Sequence, residues 1–558
     1  MKNKYLLLLL CYFAASCANL EEEVFDEVQV EDVEALLENP TPEFLDNFVA
    51  SAYAELIPNF TERNYFNLQE STSDISMTPT RLWQDPSRSD WFDGGRYVAL
   101  HKHEWDASER TVNDVWGLLQ GGIAACLEIL DAFDTPAAKS NDAIVPRRAE
   151  VQGLLAFYMW AIFDLYGQVP YIDLSSGQNV VLAGNDAIDE IARLLDEAIP
   201  VLRGKDASMG GHLFSKGAAQ TLLARLLLNK AVYEDRYASS YNFSAADMSQ
   251  VISTTTDLID NGGYSLATDF FRLFDGDSDN NAATDELIFT VNCVAGQTCN
   301  RAFTAMVMSQ GQFAADAGSF RGWNGFCTLP EFVDSWDTSD PRYFEENYPN
   351  EPGTIDPDTY QLNRGVQVGV QHGPVPVGGD GQPTEGGAFK RDANGQLVIE
   401  VLRNFLRDNQ VVDYNKDVTF TSNQWAGARI FKYEYDTPGP GRWDTNINPV
   451  IFRLADAYLM RAEAKLRSGD ETGALEDVNT LRAARGTAAL DQISLDALLD
   501  ERGFEFYWES HRRTDLIRFG KFNDAWTEKP ASDPNKRLFP IPLNALASSS
   551  NLTQNQGY

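Results

Sequence analysis

RLADAYLMRAEAKLRSGDETGALEDVNTLRAARG, Arg453 to Gly486, decides the fold. Two runs at helical spacing, 453–467 and 471–485, flank the short break Ser468-Gly469-Asp470. Two amphipathic segments joined by so short a break lie side by side as a helical pair. Their many alanines let neighbouring helices cross closely.

The same texture extends in both directions. Helical patterns occur at 40–58, 109–134, 146–166, 187–203, 215–233, 245–262 and 495–510, mostly in pairs joined by short breaks. Pairs of this size point to a tetratricopeptide-like array, although no strict repeat signature is present. From about 264 to 450 Gly, Pro, Asn and Asp become frequent, and strand-like pieces such as LIFTVNCV and GARIFKYEYD appear. Residues 71–105 are also loop-rich and aromatic. The helical scaffold starts before the insertion and finishes after it, which favours one interwoven domain over two beads. The expected fold is mainly α, a scaffold of helical pairs over 40–263 and 451–558. Its loop-rich binding region covers about 71–105 and 264–450 and contains short strands.

Glu463, Glu501, Arg502, Arg512, Asp515 and Arg518 interrupt helices otherwise packed by Leu, Phe and Tyr. A charge on a buried helix face must be paired. Ion pairs between helices are therefore expected here, rather than catalytic carboxylates.

Several motifs carry a family resemblance. The Arg453–Gly486 pair is joined by ERGFEFYWESHRRTDLIRFGKF, Glu501 to Phe522, and by FPIPLNALASSSNLTQNQGY, Phe539 to Tyr558. Earlier pieces are AEVQGLLAFYMWAIFDLYGQVPY, KGAAQTLLARLLLNKAVY, NGGYSLATDFFRLF and DELIFTV. Together they resemble the SusD/RagB outer-membrane nutrient-binding lipoproteins over essentially the whole mature chain. Leu155 and Leu127 depart from that pattern, at scaffold positions where Arg and Asn are common. The resemblance implies a SusD-like fold and a binding module without catalysis. It also implies capture of oligosaccharides and a place as lid on a SusC-like, TonB-dependent transporter.

The N-terminus fits that reading. Lys2 and Lys4 precede the short apolar run YLLLLLCYF, and Ala14, Ala15 and Ser16 end directly on Cys17. This is a lipoprotein signal peptide over 1–16, too short for a stable span. Cys17 is the expected lipidation site; several acyl chains hold a protein on a membrane almost irreversibly. An acidic linker, 17–39, follows. Its cluster at Glu21, Glu22, Glu23, Asp26 and Glu27 resembles the export signal of surface lipoproteins, which implies the extracellular face of the outer membrane. No later stretch reaches eighteen apolar residues, so no other span is expected. The formal net charge of -37 makes nucleic acid a poor partner. It also favours a neutral polymer, such as a β-glucan, over a polyanion.

Neutral sugars offer apolar C–H faces and hydroxyl rims, which flat aromatics and polar side chains match. Arg81, Trp83, Asp90, Trp91, Phe92 and Asp93 cluster before Gly94-Gly95, and Trp323 sits between Gly322 and Asn324. Trp83, Trp91 and Trp323 are the candidate stacking platforms. Arg81, Asp93 and Asn324 are the candidate hydrogen-bonding groups. The competing reading packs each Trp onto the scaffold. Trp116, Trp160, Trp508 and Cys126 lie on apolar helical faces and are assigned to the core; Trp336 is core or half-buried. Trp425, Tyr360 and Trp443 are held in reserve.

No cofactor is required by this reading. Asp275, Asp277, Asp279 and Glu286 echo the spacing of a calcium loop, so a structural Ca2+ is weighed against a solvated acidic loop. Cys293 and Cys299 flank VAGQT and can close a local disulfide or stay free. His101 and His103 lack an evident third metal ligand. The alternatives to glycan capture are a peptide-binding lid of a RagB-like importer and, further off, a glycoside hydrolase. A structural adhesin without saturable sugar binding is a third.

Overall fold

The computed structural model describes residues 30–60, 64–82, 89–90, 93–205, 211–295, 299, 302–309, 322–380, 382, 384, 387–404, 409–420, 426–436 and 445–558. The expectations for the signal peptide, Cys17 and most of the acidic linker lie outside these residues.

The helical array is continuous in space although interrupted in sequence. Arg110–Ala132 packs on Val145–Tyr166, which packs on Gly184–Ala198, then Lys216–Leu228, then Ala245–Asn261. Ala245–Asn261 next meets Leu454–Arg467, nearly two hundred residues on, and the array finishes with Glu471–Ala484 and Leu495–Phe506. Local chemistry sets the helix ends. Ser215, Ser244, Asp470 and Ser494 cap the first turns by accepting backbone N–H bonds. Gly167 ends the central helix at φ 72°.

Val145–Tyr166 is buried all round from Ala149 to Tyr166, so it forms the axis of the core. Close crossings rest on glycine. A Cβ at Gly122 would sit 2.5 Å from the Tyr158 ring, and one at Gly153 would sit 2.4 Å from Phe214. Trp116, Trp160, Trp336, Trp508 and Cys126 are all buried. Arg110–Ala132 is the one described helix long and apolar enough to cross a membrane, yet half of its apolar window is buried in the protein.

The amphipathic helix expected over 40–58 is instead three short pieces, Pro42–Val49, Ser51–Ala54 and Leu56–Phe60. Backbone bonds from Ala50 to Asn47 and from Tyr53 to Ala50 tighten the chain at the first break. One apolar face survives the break, with Leu45, Val49, Ala52 and Leu56 buried.

The insertion leaves and re-enters through one antiparallel pair, Leu287–Thr290 against Val450–Arg453. Among the described residues its sheets have two or three strands; the largest include Arg429–Phe431, Arg364–Gln367 and Phe344–Glu345 in one sheet. It covers a second apolar core around Phe270, Phe274, Tyr433 and Trp508. Cys293 and Cys299 are disulfide-bonded.

Insertion and scaffold are joined by a buried ionic cluster. Arg453 donates to Glu286 (2.9 Å) and Glu509 (2.7 Å) and also pairs with Glu505. Arg485 reaches Glu286 and Glu505 at 2.6 and 2.7 Å. Arg342 bridges Glu501 and Glu505 at 2.8 and 2.9 Å. Burial pushes the Glu505 carboxyl up, but Arg485, Arg453 and Arg342 outweigh it and hold it well below the usual range. The helix charges pair as expected. Arg518 binds Glu463 and Asp515, Arg502 binds Asp515 and Asp456, and Arg512 binds Asp74.

Candidate functional site

The two aromatic loop segments singled out in the sequence share a common base. Met77 and Cys327 exchange backbone hydrogen bonds of 2.9 Å, and the Thr80 N–H reaches the Phe420 carbonyl at 3.1 Å. Thr328 bonds Ala428 from its backbone and Ile75 from its hydroxyl. These contacts gather three chain segments, near 75–81, 324–328 and 420–429.

Two buried arginines fasten this base. Arg81 donates to the carbonyls of Ala426 (2.5 Å) and Gly325 (2.9 Å). Arg429 donates to the Gly427 carbonyl at 2.6 Å and to Asn324 Oδ1 at 2.9 Å. Its guanidinium lies 4.7 Å from the centre of the Tyr414 ring. Tyr414 in turn accepts the Ser309 N–H at 3.0 Å, tying in the segment before 310. Close approach requires glycine twice. A Cβ at Gly322 would lie 2.0 Å from the Met308 carbonyl, and Gly427, at φ 87°, abuts the Cys327 sulfur. Burial pulls the Arg81 guanidinium down to about 9, with a smaller push from Arg429.

This geometry corrects two expectations. Arg81 and Asn324 are both fully buried, so neither offers its side chain to a ligand at the surface. Their polar groups bond the protein's own carbonyls and Arg429. Asn324 also adopts φ 60°, which Asn tolerates better than most residues. Trp323 is half-buried against the second core. Trp83 and Trp91 lie outside the described residues, as do Trp425 and Trp443. Asp93 opens the short turn Asp93–Gly95, with its side chain outside the described set. Tyr360 is buried, its ring 5.2 Å from Tyr348. Arg429 and Tyr414 were missed by sequence reading. Their only local signal was an arginine inside the apolar strand ARIF.

The four acids of the expected calcium loop are taken up by the protein's own bases, and Arg272 bridges Asp275 and Asp277. Asp275 pairs with Arg364 at 2.7 Å and Asp277 with Arg272 at 3.2 Å. Asp279 lies 3.3 Å from His212, and Glu286 belongs to the Arg453–Arg485 cluster. Among the described residues no group of three or more His, Cys, Asp or Glu is arranged to hold a metal ion. His101 and His103 are buried, and their ring nitrogens face Ser76, Thr527, Thr72 and Ser532. Burial pushes the Glu70 carboxyl up to about 8, but the group is sealed inside the core, out of reach of a substrate.

The helical array carries a loop-rich insertion, and buried arginines fasten the base of its loops. A family model described as the SusD family matches residues 285–558. The starch-binding protein SusD of Bacteroides thetaiotaomicron is 28% identical over 460 residues, 76% of this chain and 75% of that protein. A solved SusD-like protein of Bacteroides fragilis aligns with a TM-score of 0.66 at 19% identity, covering 95% of this chain and 100% of the other. Surface glycan-binding protein A of Bacteroides thetaiotaomicron, solved with laminarihexaose, aligns with a TM-score of 0.61 at 18% identity, over 92% and 99%. The chain belongs to the SusD/RagB family.

Proposed function

We propose that this protein is a non-enzymatic, surface-exposed glycan-binding lipoprotein. It is anchored through Cys17 on the extracellular face of the outer membrane. It captures neutral oligosaccharides and passes them to a SusC-like TonB-dependent transporter, which it covers as a lid. One observation carries the reading: the segments next to Trp83 and Trp323 in sequence share a base clasped by Arg81 and Arg429. Relatives named for starch binding and surface glycan binding support the same ligand class. A tether beside the importer supplies high local concentration, so moderate affinity suffices.

Isothermal titration of residues 40–558 against neutral and charged oligosaccharides tests this. Binding of a neutral glycan, lost in Trp83→Ala, Trp91→Ala and Trp323→Ala while the fold persists, is the expected result. Binding of peptides in place of sugars would transfer the protein to the peptide-lid class. Sugar binding that survives all three substitutions would move the site elsewhere.

A further inference from the structure

A second concavity lies on the helical array. The ends of Arg110–Ala132 and Val145–Tyr166, the Gly184–Ala198 helix and the hairpin Gln168–Asp173/Gln178–Ala183 enclose a cleft of about 1020 Å³. Its apolar lining comes from the half-buried Leu174, Val180, Val181 and Leu182, backed by the buried Leu130, Leu155 and Leu194. Its rim is acidic, with Asp134, Asp173, Asp186, Asp189, Glu190 and Glu197. The three lining bases are already matched. Lys139 and Arg148 both face Asp134, and Arg193 pairs with Glu190 and Glu197. Asp186 and Asp189 form no ion pair among the described residues, so negative charge is left in excess. Asp186, Asp189, Glu190, Arg193 and Glu197 follow helical spacing along one face, a line roughly 16 Å long at 1.5 Å per residue.

We propose that this cleft docks a basic polypeptide segment of a partner protein, with lysine or arginine alternating with aliphatic side chains. Charge complementarity selects this occupant: the aliphatic groups cover the apolar lining while the bases meet the unmatched acids. A carbohydrate fits poorly, because the only aromatic lining residue is Tyr171, whose hydroxyl donates to Glu190 at 3.2 Å. The inference does not depend on the glycan reading.

A labelled dodecapeptide alternating Leu and Lys is the probe, read by fluorescence anisotropy against the intact protein. Its counterparts carry Glu for Lys, or Ser for Leu. The expected result is saturable binding by the Leu/Lys peptide alone. Asp186→Lys with Asp189→Lys should weaken it at least tenfold, and the exposed pair Glu351→Lys with Asp358→Lys should leave it within twofold. Absent binding, equal binding by the Ser/Lys peptide, or equal loss in the Glu351/Asp358 variant would each overturn the proposal. The last two would reveal diffuse attraction to an acidic surface.

Discussion

Two groups of buried arginines hold this molecule together by different means. Around Glu505, three buried guanidiniums meet carboxylates. Around Asn324, the partners of Arg81 and Arg429 among the described residues include carbonyl oxygens, which carry only partial charge. Titration separates the two. Burial opposes the charge at both places, but carboxylates lift Arg453 and Arg342 well above the ordinary range, while Arg81 sinks to about 9. The first arrangement welds insertion to scaffold. The second fixes the geometry of loop bases.

The largest effect should come from Glu505→Ala. It strands Arg453, Arg485 and Arg342 beside fewer carboxylates, and breaking such a buried pair costs about 3–5 kcal/mol. Urea unfolding should show that loss; a loss below about 1 kcal/mol would dissolve the contrast.

Acid should act on the paired helix charges next. Burial raises Glu463, but Arg518 and Arg467 outweigh it and hold the carboxyl at about 2. Its stabilisation is therefore full above pH 4.5 and lost as pH falls towards 2, a drop of roughly 3 kcal/mol. Unfolding free energies between pH 5 and 2.5 should fall less steeply in Glu463→Gln.

Glu70 should show the opposite sign. Ser510 N–H donates to one oxygen at 2.7 Å, while the other has no hydrogen-bond partner among the described residues. Because burial raises its pKa to about 8, its contribution is full below pH 4.5 and lost as pH rises to 8. Glu70→Gln should gain stability over the parent at pH 8.5 and nothing at pH 4.

The smallest change in stability should follow Arg81→Met. Two carbonyls lose a donor, but the desolvation cost of a buried charge also disappears, so the net cost is about 1 kcal/mol. Glycan affinity should fall more than stability does. Equal stability losses in Arg81→Met and Glu505→Ala would end the distinction.

The array was legible because each long helix carries its own periodicity and caps. Ser215, Ser244 and Asp470 mark starts within a few residues of where they act. Trp116, Trp160 and Trp508 were placed in the core on the same local grounds. The loop bases were not legible for a physical reason. Arg81 looks like a ligand-facing residue in a Trp-rich loop, yet its acceptors lie 244 and 345 residues away in sequence. Glu286 resembled a calcium ligand because its true partners, Arg453 and Arg485, lie 167 and 199 residues downstream. The 40–58 segment kept its apolar face but not its continuous helix, since spacing reports burial more faithfully than backbone bonding.

The long reach of the C-terminal arginines has a consequence for how the chain acquires its shape. Arg512 and Arg513 contact Asp74 and Asp164, 438 and 349 residues upstream. A chain emerging from its amino end carries those acids long before their partners exist. Those acids therefore wait for these arginines until the final helices arrive, and closing such long loops makes this last step slow. A chain lacking its last turns would leave Asp74 and Asp164 without these arginines, so the end of the sequence acts as the latch.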